Sequence, residues 1–167
     1  MQKRVDFSQA MQSRYPEQTV IAIAKDKNGK ANPVTIAWTM PASGSPGMMA
    51  IAVASKHYSI ECIRHSKCFT IAFSSSDMAD AALFFGSKSG RDTDKFAEFA
   101  CATSPAVEID SVLLTEAVAN FECTVESETI AGDHIIFIGK VVAAHTNTEP
   151  KKRLYTTTAG HKMGAFS

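Results

Sequence analysis

The chain has 167 residues, 45% of them apolar and 20% charged, with a formal net charge of zero. That length fits one domain, residues 1–167, able to bury a single core. The balanced charge argues against a nucleic-acid partner, because only the short runs KSGR and PKKR offer local basic character.

No run of roughly 18 apolar residues occurs, so no membrane partner is expected. MQKRVDFSQA lacks the apolar stretch of a secretory signal, which makes the cytoplasm the expected location. Cys62, Cys68, Cys101 and Cys123 show no CxxC spacing. They are expected to be reduced and mostly buried, with no zinc site.

QTVIAIAK, residues 18–25, is short and β-branched and reads as a strand. Asn28-Gly29 follows as a turn signal, since both residues tolerate positive φ. PVTIAWTM is expected to be one strand, PASGSPG a loop, and MMAIAVAS a third strand buried on both faces. HYSIECIRHS shifts to helical spacing at Ile60, Ile63 and Arg64, starting near Ser55 or His57. CFTIAFSS returns to strand. DMADAALFFG is a helix with Asp77 as its expected N-cap, Met78, Ala81, Ala82 and Phe85 as its apolar face, and Gly86 as its end. DKFAEFA adds one or two turns with Phe96 and Phe99 on one side.

In AVANFECTVESETI, Phe121, Cys123 and Val125 alternate with Glu122, Thr124 and Glu126. HIIFIGKVVAAH is a long strand with a bulge or bend expected at Gly139. The barrel core is expected over residues 18–145. The tail, residues 146–167, shows no clear structure of its own and is expected either to be mobile or to fold over a partner. Six or more strands with two or three short inserted helices, and long paired strands at the end, describe a mainly β, closed or partly closed antiparallel barrel.

The sequence holds no GxSxG, HExxH, P-loop or GxGxxG motif. His57 and His65, eight apart on one predicted helix, read better as exposed polar positions than as ligands to one metal. Three segments suit a flat, anionic ligand instead. Asn32, Thr35 and Trp38 place hydrogen-bonding groups and a π-surface on one strand, although Trp38 fits a core position equally well. SKHYS, residues 55–59, ends a strand at the start of a helix, where free N–H groups favour phosphate. Ser55 there would otherwise be a plain N-cap. GSKSGRDTDKF, residues 86–96, combines small residues with Lys88, Arg91 and Lys95, which suits an anion as well as a solvated loop.

Taken together and in this order, these segments resemble the flavin reductase-like family, in its flavoredoxin-like branch. The likeness covers roughly Val20 to His145 and includes GDHIIFIGKV, residues 132–141. It implies a split β-barrel with a Greek-key core, non-covalent FMN, and a homodimer with flavin near the subunit boundary. It also implies electron flow from NADH or NADPH through FMN to a small-molecule or protein acceptor. The alternatives are a flavoredoxin-like carrier reduced by a protein partner, or a flavin-binding dimer without turnover.

By this resemblance Asn32, Thr35, Ala37 and Trp38 would lie by the isoalloxazine or ribityl chain. Ser55, Lys56, His57, Tyr58 and Ser59 would lie by the phosphate, with Ser89, Gly90, Arg91 and Lys95 closing over it. The flavin carries the chemistry, so no catalytic acid or base is expected, and His134 is either a contact for nicotinamide or acceptor or an exposed turn histidine. The chain departs from the family pattern where His57 replaces a frequent Arg, where Ala72 or Phe73 replaces a frequent Asn, and at Val34 in place of Met.

Overall fold

A computed structural model gives the structure of residues 1–166; Ser167, the end of the expected tail, lies outside the described residues. In chain order the elements are α1 (Phe7–Ala10), β1 (Glu17–Gln18), β2 (Val20–Lys25), β3 (Ala31–Ile36), β4 (Thr39–Gly44) and β5 (Gly47–Ala54). Then come α2 (Ser59–Ser66), β6 (Cys68–Phe73), α3 (Ala79–Ser87), α4 (Lys95–Glu98), β7 (Thr103–Pro105) and β8 (Val112–Leu114). The long β9 (Ala119–Ala131) and β10 (His134–Thr146) are followed by β11 (Tyr155–Thr158) and β12 (Lys162–Gly164).

Seven strands form one antiparallel sheet in the order β3-β2-β6-β9-β10-β5-β4. β3 and β4 sit at its opposite edges, although only Ala37 and Trp38 separate them in sequence. A sheet whose edges are joined by two residues has to curl until those edges meet. The barrel is therefore split at Ala37–Trp38, where the carbonyl of Trp38 accepts the N–H of Ala52 on β5 at 2.9 Å.

β2 shows how two cores share one strand. Val20, Ala22 and Ala24 face the barrel interior with Ile51, Phe69, Ile71 and Phe137. Ile21 and Ile23 face outward, under Met78, Ala82 and Phe85 of the segment around α3. Ile60, Cys62 and Ile63 of α2 pack into the interior cluster. Phe85 meets Phe96 and Phe99 edge-on at 5.3 and 5.9 Å, which docks α4. The pairing of β9 with β10 shifts register between Ile138 and Gly139, as the glycine suggested. A Cβ on Gly139 would stand 2.5 Å from Phe69 Cζ and 2.7 Å from Cys123 Cβ, so the strand crosses the core only without a side chain there.

Several local expectations change. PVTIAWTM is not one strand: β3 stops at Ile36, and the expected loop PASGSPG instead supplies β4. Pro41 is tolerated because β4 is an edge strand and its register shifts between Pro41 and Ser43. Asp77 is not a helix cap. It lies in a 3-10 turn, Ser76–Met78, and its carboxylate accepts from Lys151 Nζ at 3.2 Å. Gly86 lies inside α3, not after it, where a Cβ would come within 3.3 Å of Thr35 Cβ. Residues 155–164 of the tail are ordered, since β11 pairs with β1 and β12 with β11 to form a three-stranded sheet.

Glu122, expected on the polar face of β9, is completely buried. It accepts the N–H groups of Val107, Glu108 and Ile109 and pairs with His145 at 2.7 Å. Burial opposes ionisation there, yet the three N–H groups and the imidazole hold the carboxyl below its ordinary range. All four cysteines are free thiols, three of them buried. No helix among the described residues is long and apolar enough to cross a membrane.

Candidate flavin-binding groove

The split in the barrel opens into a groove made of three adjoining cavities, all lined by His57. At one end a cavity of about 250 Å³ has an apolar floor, including Val34, Ile36 and Ala52, and a rim carrying Trp38, His134 and His161. The middle cavity, about 460 Å³, runs between Thr35–Ala37 and the outer side of α3, with Thr156, His161 and Met163 across from them. The far cavity, about 290 Å³, is bounded by Lys56–Ser59, by Gly86–Gly90 and by Lys95.

The ring-like end is set by the split itself. Trp38 is 43% exposed and so is not a core residue. Its ring lies 4.6 Å from that of His134 at 32°. His134 is fixed from behind by Asp133, whose carboxylate meets Nδ1 at 2.7 Å. Thr35 faces the groove but donates its hydroxyl to the carbonyl of Ala82, which ties β3 to α3. Among the described residues no three His, Cys, Asp or Glu side chains converge as a metal site requires.

The polar end is built from buried, already paired groups. Lys95 is 3% exposed, and its ammonium donates to the carbonyls of Pro33 at 2.7 Å and Phe85 at 2.9 Å. Those two bonds use two of its three protons. Among the described residues no carboxylate is one of its hydrogen-bond or ion-pair partners, and burial lowers its pKa to about 8. Lys56 is exposed beside it. His57 is half-buried rather than exposed. Burial lowers its pKa, helped by the charges of Lys56, Lys95 and His134, so its neutral form is favoured when no anion is near.

Ser59, the first residue of α2, accepts from Asn32 Nδ2 at 2.9 Å. Asn32 Oδ1 is buried without a partner. A Cβ on Gly90 would stand 1.9 Å from that oxygen, so the loop lies against Asn32 only because residue 90 has no side chain. Among the described residues the backbone N–H groups of Tyr58, Ser89 and Gly90 have no protein acceptor. Unspent N–H groups, a buried ammonium and the start of a helix together make a cradle for an anion.

The sequence-predicted residues are thus brought together, with exceptions. Thr35, Ala37, Trp38, Lys56, His57, Tyr58, Ser59, Ser89, Gly90 and Lys95 line the groove. Asn32 stands behind the wall and shapes it. Ser55 points away, its hydroxyl bonded to the carbonyl of Asp133. Arg91 also lies outside: its guanidinium pairs with Glu61 and covers the Tyr58 ring at 5.3 Å from the centroid, in a neighbouring cavity with Asp26 and Asp92. The charge over the cradle therefore falls to Lys56, Lys88 and Lys95. Thr156 and His161 were missed, because nothing in the tail's composition announces the hairpin that carries them.

The groove fits FMN on its own terms: an open aromatic end takes a planar ring, and a basic, N–H-rich end takes a phosphate. Residues 11–163 match the flavin reductase like domain family. A Pyrococcus abyssi protein of uncharacterised role is 30% identical over 77% of this chain and 73% of its own length. An NADH-dependent FMN reductase of Streptomyces nodosus subsp. asukaensis is 25% identical over 86% of this chain and 75% of its own. The flavoredoxin of Methanosarcina acetivorans superposes with a TM-score of 0.87 at 22% identity, covering 100% of this chain and 92% of its own. The chain belongs to the flavin reductase-like domain family.

Proposed function

We propose that this protein is an FMN-binding oxidoreductase that takes hydride from NADH or NADPH and passes electrons to a second acceptor. The observation that carries the reading is the row of three cavities, all lined by His57, from the Trp38–His134 face to the Lys95 cradle. The family match supports the flavin, and the similarity to an NADH-dependent FMN reductase supports the nicotinamide donor.

FMN would supply the redox chemistry, accepting a hydride and releasing electrons singly or in pairs. The protein's residues bind and orient. Lys95 and Lys56 meet the phosphate charge, and the N–H groups of Ser89 and Gly90 complete the cradle. Thr35, held by Ala82, and Trp38 fix the plane of the ring end. The exposed rim of Trp38, beside the half-buried His134, leaves one face of that end open to an incoming donor. We place the second copy of a homodimer on the apolar surface around Met40, at a cavity floored by Ala50, Ile51 and Ile136. Sedimentation at micromolar concentration tests that placement, and a monomer removes it.

Anaerobic titration of the FMN-loaded protein tests the reaction. Bleaching of the flavin band by NADH or NADPH is the expected result. Bleaching by reduced ferredoxin alone assigns the protein as a carrier, and failure to take up FMN removes the whole reading.

A further inference from the structure

The C-terminal hairpin, β11–β12, is tied down at its base and reaches over the groove at its tip. Leu154 is fully buried, and its N–H and C=O bond to Ser74 and Thr19. Thr156 pairs with Glu17, and its hydroxyl meets that of Thr19 at 3.2 Å. Arg153 lies 4.1 Å over the Phe73 ring and donates to Gln18.

The tip is unusual. Gly160 and His161 both have left-handed backbone, at φ +81° and +59°. Glycine adopts that conformation freely, but histidine does so only against a steric cost. Only one other non-glycine among the described residues, Lys67, shares it. Among the described residues the His161 side chain has no hydrogen-bond partner, and it lines both the aromatic and the middle cavity. The left-handed pair closes the turn between Thr158 and Lys162 and so sets the imidazole at the cavities. Three of the chain's five histidines, His57, His134 and His161, thereby border one cavity.

We propose that His161 is a ligand-contacting residue: the hairpin tip presents its imidazole, with those of His57 and His134, to the acceptor-bearing edge of a planar heteroaromatic ring bound in the groove. The inference rests on the flavin reading above and deepens it by making the tail a wall of the site. Imidazoles donate to ring carbonyl oxygens and ring nitrogens. Three of them around one edge favour a ring that gains negative charge over one that stays neutral.

His161→Gly and His161→Asn test this, because both accept a left-handed backbone and both remove the imidazole. Melting temperature without ligand, and dissociation constants for FMN and riboflavin from flavin fluorescence, are measured for each. The expected result is an unchanged or raised melting temperature with FMN and riboflavin weakened equally, by about tenfold, the scale of one lost hydrogen bond. Unchanged affinities overturn the inference, as does weakening of FMN alone, which would move His161 to the phosphate. Affinity that falls only together with melting temperature in both variants also overturns it, since the residue would then be a turn former. Wild-type protein that takes up neither flavin overturns the flavin reading and this inference with it, whereas wild-type uptake matched by both variants overturns this inference alone.

Discussion

The two ends of the groove are made in opposite ways. The anion end is assembled from groups that are buried and already bonded to the protein, including Lys95 on two carbonyls, Ser59 on Asn32, and Gly90 against Asn32 Oδ1. The ring end is assembled from side chains that stand at the surface, with Trp38, His134 and His161 around a gap left by the barrel's split. A phosphate needs a preorganised shell, because donors that must first rearrange give back part of their binding free energy. A ring that exchanges electrons needs access. Changes at the anion end should therefore disturb fold and phosphate together, whereas changes at the ring end should disturb binding and leave the fold intact.

The largest effect is expected from Gly90→Ala. The added methyl would meet Asn32 Oδ1 at 1.9 Å and Cγ at 2.8 Å, both atoms of a buried side chain fixed by Ser59. Overpacking of this kind costs about 1–3 kcal/mol. A fall in melting temperature and loss of FMN uptake should appear together in thermal denaturation and fluorescence titration. A stable Gly90→Ala protein that binds FMN normally would show that the cradle is soft, and the contrast between the ends would go.

Next comes Lys95→Ala, which removes a charge-assisted contact to the ligand. FMN should weaken about ten- to a hundredfold, corresponding to the roughly 1.5–3 kcal/mol of a hydrogen bond to a charged group. Riboflavin, which has no phosphate, should weaken far less. Equal weakening of both would mean that Lys95 serves only to hold Pro33 and Phe85. Arg91→Ala, in contrast, should leave the ratio of the two affinities unchanged, because Arg91 is committed to Glu61.

At the ring end, Trp38→Ala should weaken FMN and riboflavin alike, by about tenfold or less, in line with the 0.5–1.5 kcal/mol of an aromatic face contact. The melting temperature should move little, since Trp38 is 43% exposed. A large stability loss would return Trp38 to the core.

The same contrast governs what the sequence could reveal. Alternation and turn signals are local, so β2, β5, β9 and the bulge at Gly139 were legible, and so was the apolar face of α3. Thr35 was placed by strand chemistry, whereas Trp38 fitted a core position equally well until its 43% exposure at the seam put it on the surface. Roles that depend on a distant partner were not. Arg91 looks free until Glu61 folds beside it, and Asn32 looks like a ligand contact until Ser59 and Gly90 enclose it. Glu122 looks like a surface residue of β9 until the loop at residues 107–109 turns its N–H groups inward. The hairpin at residues 155–164 is invisible locally because its anchor, β1, has only two residues and lies at the other end of the chain. Ala37–Trp38 as the seam of the barrel follows from strand order alone, which no window of sequence contains.

The smallest effect, and the most specific to the anion end, is in pH. Burial lowers Lys95 to about 8 in the folded protein, against an ordinary value of 10.5. Between those values the unfolded chain binds the extra proton, so this group's contribution to stability rises as pH increases from 8 to 10.5, and its full penalty is present below 8. A phosphate beside Lys95 favours the charged form and raises its pKa in the complex. FMN binding above pH 8 must therefore take up a proton, and its dissociation constant should rise by up to about tenfold per pH unit until the raised pKa is passed. Riboflavin offers no charge to drive that uptake, so its affinity should stay flat over the same range. Parallel titrations at pH 7, 8 and 9 isolate this one group: a flat FMN curve would detach Lys95 from the phosphate, and a matching slope for riboflavin would assign the proton to the ring end instead.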